Sequence, residues 1–402
     1  MKQLTLLFEA QDTWFFQELR PGNSLWLTSL FPPPVRVFEG AVRSLLQQVS
    51  GQPNALAGNL RIAGPWPCLH ADAQWQRLYP WPLHILEQRI SPARAQPAAG
   101  AIAPQRALLR PAKQATRCDL GWVRLPELPT MPAQAKDDDW QAPKDAWLKR
   151  DDFIALLADC QAHVSPVKLT DHLHRETRLG IARVAETGLS EEGMLFQTEH
   201  VRLQPTLAFA ITLRVSPNAS SGLADDAQEL FLQQLEQHID SGRLVRLGAE
   251  GRMARVTVLA DTVMDEAILP PSFDGQNLVL VATSAMDFDG HWLPQDFTPD
   301  ANQSGQAQSW SGIFHACGDR FNLRLLSAIT GKRQVEGSTR EGKIRSTHGL
   351  GQGARALVPA GSVWFGQLLH GDFKRLARAR LGIGKKLGRG EFALATWKEG
   401  DA

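Results

Sequence analysis

The sequence predicts an α+β protein of two domains, and three observations carry that reading. At 402 residues and 43% hydrophobic composition the chain exceeds the usual size of a single core. Short apolar runs of strand character flank two segments with helical spacing, which gives mixed secondary structure. No run of about 18 uncharged apolar residues occurs, and the N-terminal MKQLTLLFEAQDTWFF reaches Glu9 and Asp12 before a signal-peptide core is complete. A cytoplasmic protein with no membrane span is expected.

The segment Lys2–Ala10 alternates weakly and reads as a strand, followed by a loop over Asp12–Ser24 that carries Arg20, Pro21 and Gly22. Three prolines, Pro32 to Pro34, forbid helix until they have passed. Beyond them Val35, Phe38, Val42, Leu45 and Leu46 share one helical face. Residues 51–148 are rich in Pro, Ala and Trp and hold no sustained period. Their tryptophans (66, 75, 81, 122, 140 and 147) argue against disorder, so an irregular insertion packed on the core is expected. Three adjacent carboxylates at Asp137 to Asp139 cannot all converge on one ion and read as a solvated linker.

From Met194 the pattern MLFQTEHVRLQPTLAFAITLRV gives two strands joined near Gln204 and Pro205. An amphipathic helix follows over Ala227–Ile239, with Phe231, Leu232, Leu235 and Ile239 available to a core. Then come a strand at Leu244–Leu247, the loop Gly248–Arg252, and the strand ARVTVLA. Strand, strand, helix, strand is part of a ferredoxin-like β-α-β-β-α-β unit. The last segment holds a strand beyond Pro359, a short basic helix DFKRLARARLG, the glycines Gly382, Gly384, Gly388 and Gly390, and a closing strand EFALATW. The domain boundary is set at 212/213, with 1–212 carrying the insertion and 213–402 the basic glycine-rich loops.

Net charge is only +1, but the signs separate. Residues 320–398 hold 16 Lys or Arg against four acids, and residues 221–300 hold 14 acids against four Arg. The basic part suits a polyphosphate ligand, because Lys and Arg contacts to phosphates release condensed counterions. The acidic part suits a basic partner, or the two parts attract each other. The four cysteines, Cys68, Cys118, Cys160 and Cys317, form no CxxC pair, so they read as reduced and mostly buried.

The tail LGIGKKLGRGEF is the strongest binding candidate. Glycine permits positive φ and lets backbone N–H groups approach phosphates, with Lys385, Lys386 and Arg389 supplying charge. It is no nucleotide P-loop, since Gly384-Lys385 is followed by Lys386 rather than Ser or Thr, and too few residues remain for a Rossmann unit. Arg252, beside the two glycines of the loop Gly248–Arg252, Arg20 in the first loop, and Arg36 and Arg43 on the first helix are further phosphate candidates. Lys332, Arg333, Lys343 and Arg345 lie in the Gly-rich stretch 331–353, expected to be mobile without a ligand and to order on binding one. Catalytic sets are scarce. HLH (His172, His174) and HAC (His315, Cys317) lack further ligands, so no metal or other cofactor is expected. Ser362 lacks the glycine that a nucleophile elbow needs. His200 is the one candidate general base.

In order and spacing, DTWFFQELRPG, SLFPPPVRVFEGAVRSLL, LFQTEHVRL, LGAEGRMARV, LVPAGSVWF and GIGKKLGRGEF resemble the repeat-associated mysterious protein (RAMP) superfamily. Within it the resemblance is to the third subunit of the type III-B (Cmr) CRISPR module. That resemblance implies two tandem ferredoxin-like domains and a noncatalytic subunit of an antiviral ribonucleoprotein. Its implied partners are the 5′ handle of the crRNA, the large polymerase-like Cmr subunit, a Cmr backbone subunit and, indirectly, target RNA. Two other functions stay open: a metal-independent guide-RNA-processing endoribonuclease using His200, and an RNA-independent protein adaptor.

Overall fold

The structure, a computed structural model, describes residues 3–17, 26–50, 60–88, 104–128, 140–183, 186–215, 225–239, 242–259, 264, 266–270, 273, 275, 277–301, 306–337 and 354–398. In chain order the first lobe comprises β1 (Gln3–Ala10), β2 (Thr13–Trp14), α1 (Val35–Ser50), β3 (Leu60–Ala71), β4 (Gln74–Pro80), β5 (Ala146–Lys149), α2 (Arg150–Ala158), β6 (Val167–Lys168), β7 (Leu173–Arg183), β8 (Ser190–Leu203), β9 (Leu207–Val215), α3 (Asp225–Ile239), β10 (Arg243–Arg246) and β11 (Met253–Leu259). The second lobe comprises β12 (Asn277–Ala282), β13 (Phe297–Pro299), β14 (Trp310–Ala316), β15 (Asp319–Ile329), β16 (Gln334–Gly337), β17 (Ala354–Leu357), β18 (Val363–His370), α4 (Phe373–Leu376) and β19 (Phe392–Thr396).

The first lobe's main sheet runs β6-β5-β4-β3-β9-β1-β11-β10. At its centre β3, β9, β1 and β11 pair antiparallel throughout, with α1 between β1 and β3 in the chain and α3 between β9 and β11. That is the split β-α-β-β-α-β connection. Strand β1 alternates only weakly because both its faces are covered. Leu4, Leu6 and Phe8 pack into the main core with Phe38, Val42, Leu45 and Leu46 of α1 and Leu232, Leu235 and Ile239 of α3. Leu7 faces the other way, onto Trp66, Cys68 and Met264. Helix α1 begins at the residue after Pro34, where the proline run ends.

Two expectations change here. A boundary at 212/213 would cut β9, and α3, β10 and β11 close the first sheet rather than open a second domain. Nor is 51–148 merely an insertion, since β3, β4 and β5 are strands of the main sheet. Pro65 and Pro67 hide β3, because proline cannot donate to a ladder. A register shift accommodates Pro65: Trp66 faces Ala210 and Ala63 faces Thr212, leaving Gly64 and Pro65 outside the pairing, while Pro67 stays in register opposite Phe209. The Asp137–Asp139 linker lies outside the described residues.

The second lobe's sheet runs β13-β14-β15-β18-β12-β19. Numbered along the chain, its strands β12, β15, β18 and β19 stand in the order 2-3-1-4, as β1, β3, β9 and β11 do in the first sheet. The first crossover carries β13 and β14 among its described residues instead of a helix. The second crossover helix, expected over DFKRLARARLG, ends after one turn at Leu376. Asp372 caps it by accepting the Arg375 N–H at 2.7 Å.

A core shared between the lobes joins Tyr79, Trp81, Leu148 and Phe153 to Val279, Val363, Phe365 and Trp397. All four cysteines are free; Cys68 is buried, but Cys118 and Cys317 are exposed, against the expectation of general burial. Among the described residues no helix is long and apolar enough to cross a membrane.

Candidate nucleic-acid interface

The glycine-rich tail is a backbone clasp between the lobes and not an open phosphate cradle. It turns at Gly384–Leu387, where the Leu387 N–H donates to the Gly384 carbonyl at 2.8 Å, and the Ile62 N–H of β3 donates to the Lys386 carbonyl at 2.8 Å. Gly388 adopts φ +82°, and a Cβ there would stand 1.8 Å from the Gly64 carbonyl oxygen. At Gly390 a Cβ would stand 2.0 Å from the Leu381 oxygen, and at Gly382 it would stand 2.5 Å from the Asp287 oxygen. These glycines serve close chain-to-chain packing. Arg389 is likewise committed inward: it is buried, donating to Asp287 at 3.0 Å and Glu336 at 2.7 Å. Arg355 joins Asp287 from a second side. The expectation of Arg389 as a phosphate ligand is thereby corrected, since its fork is already filled by carboxylates.

What the clasp does is present Lys385 and Lys386 to a cleft of about 1050 Å³ between the lobes. Arg61 of β3 and Arg214 of β9 contribute from one side, and Arg320, Arg378 and Arg380 from the other, with His315 at the wall. Arg61, Arg320, Arg378 and Lys386 are exposed. Asp319, the one acid among the described lining residues, accepts the backbone N–H groups of Asp372 at 3.1 Å and Arg320 at 2.8 Å. Those two bonds hold its pKa below the usual carboxylate range. Seven cations facing one occupied carboxylate across a cleft concentrate positive potential there.

Behind the cleft, Glu391 ties the lobes together. It accepts Trp66 Nε1 at 2.7 Å and Arg77 at 2.9 Å from the first lobe, and Arg380 at 2.9 Å from its own. Burial opposes its ionisation, but the Arg77 and Arg380 guanidiniums and these donors prevail and hold its pKa low. Arg77 also donates to the Met264 carbonyl and lies over the Trp66 and Tyr79 rings. Arg214, Arg378 and Arg380 extend onto a second cavity of about 630 Å³.

The remaining candidates are dispersed. Arg252 pairs with Asp12 at 3.0 Å and Glu250 at 3.5 Å, inside a surface lattice that also holds Glu176, Arg178 and Arg202. His200 is enclosed, in contact with Thr13, Thr198 and Glu250 and stacked on Phe15. Burial pushes its pKa down, and with no exposed surface it meets no substrate hydroxyl in this structure. Arg43 pairs with Glu39 one turn back on α1 at 2.7 Å. Arg36, near the start of α1, is half-buried. Lys332 and Arg333 are exposed just before β16 but do not line the cleft. Arg20, Lys343 and Arg345 lie outside the described residues. Among the described residues no three His, Cys, Asp or Glu side chains group as metal ligands.

The segregated charges close partly on themselves: Asp300 pairs with Arg324, and Asp287 with Arg355 and Arg389. Sequence reasoning missed Arg61, Arg214, Arg320, Arg378 and Arg380 as cleft residues. They lie in four separate stretches of chain; the basic bias of the C-terminal part signals Arg320, Arg378 and Arg380, and nothing local marks Arg61 or Arg214.

Among solved structures, the type III-B Cmr-beta bound to cognate target RNA contains a chain similar to this one at 11% identity and TM-score 0.41, covering 90% of this chain and 86% of that one. The same complex with target RNA and AMPPnP gives 12% and 0.38 over 90% and 86%. Its apo state gives 12% and 0.27 over 65% and 98%. Likenesses at this level carry no functional argument. No curated protein matches significantly. The model of one family, described as CRISPR-associated protein (Cas_Cmr3), matches residues 6–397. Nearly the whole length, both lobes and the clasp between them, is thus accounted for by one family, and the chain belongs to the CRISPR-associated Cas_Cmr3 proteins.

Proposed function

We propose that this protein is a noncatalytic RNA-binding subunit of a type III-B Cmr effector, holding the 5′ handle of the guide RNA in its inter-lobe cleft. In this role it anchors the large polymerase-like subunit to the filament beside a backbone subunit and meets target RNA only indirectly. The observation that carries the reading is the cleft itself, where, among the described residues, seven Lys and Arg side chains from both lobes face a single acid already engaged by backbone N–H groups. Phosphates are the ligand such a lining suits.

Replacing Lys385 and Lys386 by Glu should leave the clasp standing, because its hydrogen bond runs from the Ile62 N–H to the Lys386 backbone carbonyl. The expected outcome is a folded protein that still enters the complex and no longer retains guide RNA. Undiminished RNA co-purification would sink the proposal. Incubation of the pure protein with repeat RNA in EDTA tests the noncatalytic part, the expected outcome being intact RNA.

A further inference from the structure

We infer that the strand face leading out of the cleft seats and reads unpaired RNA bases, those of the strand whose phosphates the cleft holds. The inference rests on the proposed RNA-binding role and deepens it. His315 and Arg320 line the cleft and stand directly opposite each other on β14 and β15; in the next row Ile313 faces Asn322, and Asn322 faces His370 of β18. The alternate residues Phe314, Phe321 and Leu323 point into the second lobe's core, so this set faces outward. His315, Arg320, Ile313 and His370 are exposed. The turn closing the hairpin fixes the first row. Cys317 and Gly318 both adopt positive φ, 53° and 74°, as a two-residue hairpin turn of this hand requires, and Asp319 ties the hairpin to the cap of α4 by accepting the Asp372 N–H.

The chemistry of this face is that of base recognition. Imidazole and guanidinium planes stack on bases, and a carboxamide offers a donor and an acceptor to a base edge. Among the described residues no side chain pairs with the His315 imidazole or the Arg320 guanidinium. The Asn322 amide oxygen is buried without a partner, so nothing fixes that amide, and a half-turn brings either its oxygen or its nitrogen outward. The two rows lie about 7 Å apart along the strands, room for one base on each. An exposed polar strand face is ordinarily just solvated, but this one begins on the cleft wall, continuous with the cations that suit phosphates.

The test uses the full-length protein with His315, Asn322 and His370 all changed to Ala, after cooperative unfolding has shown that the variant folds; every Lys and Arg of the cleft is kept. Affinity is measured for the guide's 5′ segment, and for the same segment with one abasic nucleotide at each position in turn, across a salt series. The unsubstituted protein should lose about tenfold at one or two abasic positions, the scale of one stacked base. The variant should bind the intact segment about tenfold more weakly and lose less than about threefold at those same positions. Its slope of log affinity against log salt should stay within about 0.7 of the original, the share of one phosphate contact. Unchanged affinity of the variant, as for a face that seats a protein, overturns the inference. So do abasic losses that are absent from the unsubstituted protein or equal in both, and a slope that falls by more than that share. Each of these leaves the RNA-binding role standing. An unsubstituted protein without salt-dependent affinity for any of the strands overturns both.

Discussion

Glu391 shows how a single buried side chain sets the geometry of a surface cleft. Its carboxylate joins Trp66 and Arg77 of one lobe to Arg380 of the other, so replacing it strands two guanidiniums that water does not freely reach. Glu391→Gln should cost about 3 kcal/mol of unfolding free energy, measured by denaturant titration. Because its folded pKa is depressed, its contribution is present above the ordinary carboxylate pKa and is lost as pH falls through the folded value. His84 bears on acid stability with the opposite charge. Burial against Phe365 of the second lobe pushes its imidazole down to about 3, from an ordinary 6.5, so the unfolded chain binds a proton that the folded one refuses. Stability should therefore fall as pH drops from about 6.5 toward 3. His84→Leu should flatten that part of the profile, as read from melting temperature against pH.

The elements differ in how openly the sequence declared them. Helix α1 was legible because a proline stop and a 3.6-residue apolar period coincide at Val35. Removing its central ring by Phe38→Ala, which loses the edge-on contact to Phe8 at 5.1 Å, should cost about 4 kcal/mol. Strand β3 was hidden, because Pro65 and Pro67 break the pattern that a strand displays, and a bulge opposite β9 makes room for Pro65 while Pro67 pairs with Phe209. The glycine-rich tail was legible as special backbone but not as to which kind. Positive φ serves an open anion cradle and a tight chain crossing equally well, and only the Gly64 carbonyl beside Gly388 decides between them. Gly388→Ala should destabilise the fold by about 3 kcal/mol through strain and collision, measurable by thermal unfolding. In the same way Lys385, Lys386 and Arg389 look alike along the chain, yet two line the cleft and one is buried between Asp287 and Glu336. Neighbouring carboxylates from distant segments made that division.

At the scale of the molecule, the misplaced boundary has a consequence for dissection. The sheet that begins with β1 is completed only by β11, so a chain cut after residue 212 lacks α3 and β11 and should show no cooperative unfolding. A chain cut after 259 should keep a cooperative core. It should also bind a hydrophobic dye, because Tyr79, Trp81, Leu148 and Phe153 lose the second lobe's half of the shared core. The cleft cations were invisible locally for a related reason: Arg61 and Arg214 are brought together by the pairing of β3 with β9, and they meet Arg320 and Arg378 only when the two sheets dock.

The crossing of Gly388 over Gly64 also bears on kinetics. Two peptide backbones in direct contact have no side chain between them to yield, and neither lobe can swing without breaking that contact. On the proposed RNA-binding role, that contact should hold the cleft walls at one separation before RNA arrives. Such a rigid gauge spends no binding free energy on closure. Capture of a strand should proceed in one diffusive step, its rate governed by ionic strength, with no slower isomerisation behind it.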